Sequence, residues 1–293
     1  MPIGELAALG TASCWAVTSL AFAEASRRVG ALRVNLLRLP MAFVLLSLVV
    51  AGRTAPFHDL NGPRLGFLAA SAVIGLVAGD LAFFGALRRL GPRLTSLLMS
   101  LAPIFAAMAG IAMLSELPGT WAVAGIVLTL GGVAWVVLEQ RQGQTSGRQS
   151  PLGLVLGLVG AACQGFGLAL AKLGMDGEVT PLVATWVRIG VATFAMWAAA
   201  LAVGATRGLG LAAALRSAGS FITTGAVFGP FVGVWLSLTA ARFTAVGVAA
   251  TIMATTPILL IPLVMITERY RPTMRALLGT LVAVLGVALL FSR

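Results

Sequence analysis

Apolar runs long enough to cross a lipid bilayer recur from one end of this chain to the other, and they leave few architectures open. A helix of about 20 apolar residues spans the ~30 Å hydrocarbon core of a bilayer. The sequence contains ten such runs: Leu6–Ala23, Leu32–Ala51, Leu65–Leu87, Leu94–Leu114, Trp121–Leu138, Leu152–Ala171, Leu182–Val203, Ala218–Ala240, Ala245–Ile266 and Leu277–Phe291. They are too long and too continuously apolar for the alternating pattern of a membrane β-strand. Charged residues make up only 10% of the chain, against roughly 25% in soluble domains. The apolar surplus must face lipid, so the expected class is an all-α polytopic membrane protein.

Most connections between runs are short, which makes neighbouring helices antiparallel and leaves no room for a soluble domain. The polar stretch Glu139–Ser150 is the longest segment without large apolar residues. It divides the chain into a first five-helix half (1–138), a linker (139–151) and a second five-helix half (152–293). The net charge of +11 comes from arginines placed mainly in the connections, where they act as orientation signals. Nucleic-acid binding is therefore not expected, and the implied partners are the bilayer and a small molecule. Whether the protein is a monomer or a homodimer does not follow from the sequence. Cys14 and Cys163 lie inside apolar runs and imply neither a metal site nor a disulfide. His58, the single histidine, falls in a connection. The N-terminus carries no basic segment ahead of its first apolar run, so a cleavable leader is not expected.

The halves repeat one another. A shift of 150 places Arg38 on Arg188. A shift of 154 places Gly75 and Gly79 on Gly229 and Gly233, Arg88 on Arg242, Pro103 on Pro257, Gly125 on Gly279, and Gly132-Val133-Ala134 on Gly286-Val287-Ala288. Five spans per repeat is an odd number, so the second half enters the membrane in the opposite sense. Such inverted repeats typify secondary transporters, with substrate bound between the halves near mid-membrane. The expected fold is thus ten transmembrane helices arranged as two inverted five-helix repeats around a central cavity. Thirteen arginines fall in the connections after the odd-numbered spans, and five Lys or Arg residues fall on the other side. The positive-inside rule then puts the first side in the cytoplasm and both termini outside.

Asp80 is the only acid near the middle of a span, a position where ionisable groups mark pathways or coupling sites. It could couple transport to protons, contact a substrate amine, or pair with Arg38 or Arg188. Those two arginines sit about one and a half turns into equivalent spans, where they could snorkel or grip a carboxylate. Pro103 and Pro257 break equivalent spans and are candidate hinges. Trp15, Asn35, Gly79, Ser100, Gln164, Trp186, Trp235 and Thr255 complete the cavity candidates with Asp80. Trp121, at a span end, reads as an interfacial anchor. The sequence contains no catalytic constellation, metal-ligand cluster or phosphate-cradling loop, so neither a cofactor nor ATP-driven transport is expected.

With these residues in view, the chain resembles the drug/metabolite transporter superfamily in its ten-helix EamA-type branch. The run A-L-R-R-L-G-P-R-L-T-S-L-L-M-S-L-A-P ending at Pro103 carries the resemblance, with Glu116 and the glycine run from Gly125. The second copy ends at Pro257 and continues through Glu268 and the run from Gly279. Arg38, Arg188 and the Trp15 region fit the same pattern, whereas Gln164-Gly165 stands where the second copy would carry tryptophan. The resemblance implies an exporter of small metabolites in a bacterial inner membrane, amino acids foremost and by analogy aromatic ones. The alternatives are an intramembrane enzyme acting on lipid-linked substrates, which would need converging titratable groups, and a non-transporting membrane sensor.

Overall fold

The computed structural model describes residues 2–52, 57, 59–139, 150–176, 179–206, 208–268 and 273–291. His58, most of the linker (140–149) and the arginines Arg53, Arg141, Arg148, Arg207, Arg269, Arg271 and Arg293 lie outside the described residues. So do the side chains of Arg88, Arg93 and Glu268. All regular structure among the described residues is helical. Nine of the helical segments are long and apolar enough to span a membrane, and a tenth, Ala102–Leu114, is apolar but shorter.

The first half contains α1 (Ile3–Val29), α2 (Ala31–Ala51), α3 (Gly62–Ser71), a π-helical segment (Ala72–Ala78), α4 (Gly79–Met99), α5 (Ala102–Leu114) and α6 (Thr120–Glu139). The second contains α7 (Pro151–Gly174), α8 (Pro181–Ala202), α9 (Leu211–Ala226), a second π-helical segment (Val227–Gly233), α10 (Val234–Phe243), α11 (Val246–Met253), α12 (Thr256–Glu268) and α13 (Met274–Phe291). Local chemistry sets several of these starts. The side chains of Asn61, Ser150 and Thr180 accept hydrogen bonds from the backbone N–H of Arg64, Gly153 and Val183, and each is followed closely by a proline. Polar caps satisfy orphan donors, and proline pre-sets the first helical turn. Between α1 and α2 the chain reverses on one residue, Gly30, whose φ of 85° and ψ of 148° suit only glycine.

The structure refines the expected boundaries. The apolar span ends at Leu87, and the chain folds back in the region where a connection is expected, although its backbone bonding stays helical to Met99. A Cβ on Gly160 would lie 3.3 Å from Phe83 N and 3.5 Å from Met99 Sδ, two residues that would stand about 24 Å apart on a straight helix. The spans expected at Leu94–Leu114 and Ala245–Ile266 are both broken, at Ser100-Leu101 and at Ala254-Thr255. These breaks are equivalent at a shift of 154. Each sits just before Pro103 or Pro257, which cannot donate to the preceding turn. The backbone bridges the two breaks identically, with Ile104 N–H donating to Leu101 O and Ile258 N–H donating to Thr255 O, both at 2.9 Å.

The halves are interleaved rather than set side by side. The third helical rod of each half (α3, π segment, α4; α9, π segment, α10) packs on the first helix of the other (α7; α1). Glycines make both crossings close. A Cβ on Gly167 would lie 2.8 Å from the Cα of Gly75, and one on Gly233 would lie 2.9 Å from Trp15 Nε1. The last helices of the two halves, α6 and α13, pack on each other. There Gly125 faces the carbonyl of Gly286, and Gly132 faces that of Gly279. Since Gly125 is the repeat partner of Gly279, and Gly132 that of Gly286, the contact is self-complementary in the manner of a two-fold interface. The pseudo-two-fold axis relating the halves therefore passes between α6 and α13.

Candidate functional site

A cavity of about 550 Å³ opens among α1, α2, α4 to α8, α10 to α12 and the two π-helical segments. That size lies within the range of small-molecule pockets. Its walls run from Ser237 and Ala250 at one end to Phe83, Val137 and Leu260 at the other. The latter three lie toward the end of the bundle that holds the arginine-rich connections. Of the candidate cavity residues, the structure brings Trp15, Asp80, Ser100 and Gln164 to the lining, together with Arg38, Arg188, Pro103 and Pro257.

Other candidates lie away from it. Asn35 is buried in α2. Trp186 packs on Phe43 with ring centroids 5.5 Å apart and donates its indole N–H to Ser47 Oγ at 2.9 Å. Trp235 packs against the apolar cluster around Leu36, Leu39 and Ile189. The hydroxyl of Thr255 donates to Ile252 O at 2.6 Å, and the neighbouring Thr256 takes the place on the wall. Gly79 does not line the cavity. It lets α4 approach α7, where a Cβ would stand 3.2 Å from that of Cys163 and 3.3 Å from Gln164 Nε2. Trp121, the expected anchor, is 71% exposed at the start of α6.

The polar groups of the cavity fall into two unlike sets. Asp80, on the first turn after the first π segment, forms an ion pair with the Nη2 of Arg38. Both side chains are 16% exposed. Arg188 is 4% exposed and lines the same cavity. Among the described residues no acid or acceptor is paired with it, and its buried Nε has no hydrogen-bond partner. Its Nη2 rests against α-carbon Gly75, 3.4 Å from where a Cβ on that residue would stand. Beside it Gln164 Nε2 donates to Gly75 O at 3.1 Å. Apart from these groups the walls are mainly apolar, with Trp15, Leu39, Leu76, Phe83, Leu168, Met253 and Leu260 prominent.

The two π-helical segments were not legible in the sequence. Both lie over the glycine pairs Gly75/Gly79 and Gly229/Gly233, at matching places in the two halves. A π turn inserts an extra residue into the helical register and often marks functional sites. Pro230 sits within the second segment and Leu76 at the equivalent place in the first, so proline alone does not produce the feature.

A second polar cluster crosses between the halves at the end of the bundle opposite the arginine-rich connections. Glu116, in the α5–α6 connection, pairs with Lys172 Nζ of α7 at 2.6 Å and accepts the N–H of Val246 at 2.7 Å, capping α11. Lys172 also donates to Thr244 O at 2.7 Å, and the Thr244 hydroxyl donates to Glu5 at 3.1 Å. Glu116 belongs to the repeat pattern of the sequence, with Glu268 as its counterpart. Its partner Lys172 gave no comparable signal.

The family model for the EamA-like transporters matches residues 2–138 and again residues 151–292. The chain belongs to the EamA-like transporter family. Its fold is shared with a protein of known crystal structure that is 16% identical, with a TM-score of 0.78 over 98% of this chain and 95% of the other. No curated protein matches the sequence. Membership of the family makes this chain a membrane transporter of small molecules, with two family repeats in one polypeptide.

Proposed function

We propose that this protein exports small metabolites, amino acids foremost and aromatic or other apolar ones among them, by alternating access through the central cavity. The observation that carries this reading is an inequality between equivalent junctions. Between α10 and α11 the helix stops at Phe243, and Thr244 is extended with φ −141° and ψ 171°. Glu116, Lys172 and Glu5 hold that break from three other segments. At the equivalent place in the first half, α4 keeps helical backbone bonding while the chain folds back between Leu90 and Leu98. Two inverted halves of one design thus differ at equivalent junctions, one extended at Thr244 and tied to three other segments, the other turning within helical backbone. Exchange of the two conformations between the halves would close one end and open the other. The amphipathic cavity, apolar with a few charged groups, suits a small zwitterion with an apolar side chain.

By the arginine distribution the end of the cavity lined by Phe83, Val137 and Leu260 faces the cytoplasm of a bacterial inner membrane, with both termini outside. Residues 1–138 and 152–293 are the two units that would move, joined by the linker 139–151, with Pro103 and Pro257 at their hinges. Asp80 is the coupling group in this reading. A proton arriving on it would release Arg38, and Asp80→Asn should abolish the pH dependence of flux. Unchanged pH dependence in that variant would remove the coupling role.

The reading is tested in proteoliposomes preloaded with unlabelled amino acids, following counterflow of each labelled amino acid in turn. Saturable counterflow of at least one, lost on obstructing the cavity with Ser100→Trp, is expected. No flux for any of the twenty would overturn the assignment to amino acids. Flux that survives the obstruction would overturn the cavity as the pathway.

A further inference from the structure

Arg188 and Arg38 occupy equivalent positions of the repeat, yet among the described residues only one has an internal counter-ion. Asp80 neutralises Arg38, and the residue at the position equivalent to Asp80 is Val234. Val234 lines the cavity and is buried. A guanidinium that is 4% exposed, with no acid or acceptor among the described residues, is costly to leave uncompensated. The arrangement makes sense if the missing charge arrives from outside the chain. We propose that Arg188 is the docking residue for the carboxylate of the transported molecule, with Val234 keeping the position free of a competing acid. This rests on the transport reading above and names the head group that the cavity selects.

Three observations define the head group. Asp80 offsets Arg38 but leaves the charge of Arg188, which a single carboxylate group neutralises locally and a phosphate dianion would overcompensate. The guanidinium fork pairs with a carboxylate through two parallel hydrogen bonds. Gln164, held by Gly75 O beside the same guanidinium, limits the approach to a small planar group. The apolar remainder of the cavity then receives the side chain.

The test uses the full-length protein purified in detergent, with thermal shift as the readout. The probes are L-phenylalanine, L-leucine and L-threonine, each with its amide and its decarboxylated amine, and also benzoate, pyruvate and inorganic phosphate. Carboxylates should bind at least tenfold more tightly than the matched amides and amines. Arg188→Gln should erase that preference. Val234→Asp, which leaves Arg188 in place and supplies an internal partner, should weaken carboxylates at least tenfold without loss of the folded, monodisperse protein. Amides or amines that bind as well as the acids, or Val234→Asp without effect on carboxylates, would overturn the proposal while leaving the transport reading intact. If no amino acid binds but benzoate or pyruvate does, in an Arg188-dependent way, the docking role stands and the amino-acid assignment falls. Phosphate bound more tightly than every carboxylate, or no probe bound at all, would overturn the docking role for carboxylates.

Discussion

The two halves of this protein agree in their backbones and differ in their charges. Equivalent glycines bring α6 and α13 together and sit at both crossings between a third rod and the opposite first helix. Equivalent prolines break α4–α5 and α11–α12 at the same residue, and π turns fall at matching places. These features set how closely helices approach and where they bend, and an inverted repeat needs them twice. The central arginine is duplicated, at Arg38 and Arg188, but its acidic partner is not. Asp80 faces Arg38 in one half, and Val234 stands in its place in the other. On the transport cycle and docking role proposed above, symmetry is kept where both conformations need the same packing, and dropped where a single substrate is recognised, because one cavity needs only one docking point.

This comparison can be broken at several places. Asp80→Leu strands Arg38 in a low-dielectric cavity, and loss of one partner of a buried pair costs about 3 to 5 kcal/mol. Thermal unfolding in detergent should show this drop. Arg38→Leu combined with Asp80→Leu should recover a large part of it. A double variant as unstable as the single one would mean that the pair is not what holds Asp80 in place.

Glu116→Gln keeps the shape of the side chain but removes its charge toward Lys172, where charge-assisted hydrogen bonds contribute about 1.5 to 3 kcal/mol. Stability should fall by about that amount, and the junction between α10 and α11 should exchange amide hydrogens faster. Unaltered exchange at Thr244–Gly247 would remove the cluster as a closure.

At the α6–α13 crossing a Cβ on Gly132 would lie 2.4 Å from Ala283 N, and one on Gly286 would lie 2.5 Å from Thr129 N. Gly132→Ala and Gly286→Ala should each cost about 1 to 3 kcal/mol through overpacking, and the two losses should match. Unequal losses would show that the pseudo-two-fold axis is less exact in energy than in geometry. Gly131→Ala, next to Gly132 but facing open space, should show the smallest effect and the opposite sign. Replacing glycine in a helix interior gains about 0.5 to 1 kcal/mol.

Much of this fold could be read from the sequence because it rests on local properties. Length and apolarity set the spans. The arginine, glycine and proline offsets exposed the repeat and its inversion, and they located the breaks near Pro103 and Pro257. Gly91-Pro92 is an ordinary turn signal, and the chain does reverse there, but the helical bonding that persists through the reversal was not readable. The second half shows the contrast, because Glu116 and Lys172 are both available to hold the break at Thr244. For the site, polarity at mid-span pointed to Trp15, Asp80, Ser100 and Gln164, all of which reach the cavity. The same criterion also picked Asn35, Trp186, Trp235 and Thr255, which lie elsewhere. Polarity tells that a side chain needs a partner and not where the partner is. Trp186 finds Ser47, and Thr255 finds the carbonyl one turn back. That Arg188 has no partner among the described residues is a tertiary fact that no local pattern encodes.

The most direct test is the access of a membrane-impermeant thiol reagent to two equivalent cavity residues from each face of oriented vesicles. In a Cys14→Ala, Cys163→Ala background, Ser100→Cys and Ala254→Cys stand at positions related by the repeat, and both line the cavity. Without substrate, both should label from the face that carries the arginine-rich connections and not from the other. Adding Glu116→Gln should raise labelling from the opposite face. Labelling from both faces with Glu116 intact, or an opposite face that stays closed once the charge is gone, would contradict a cavity closed at that end by the Glu116 cluster.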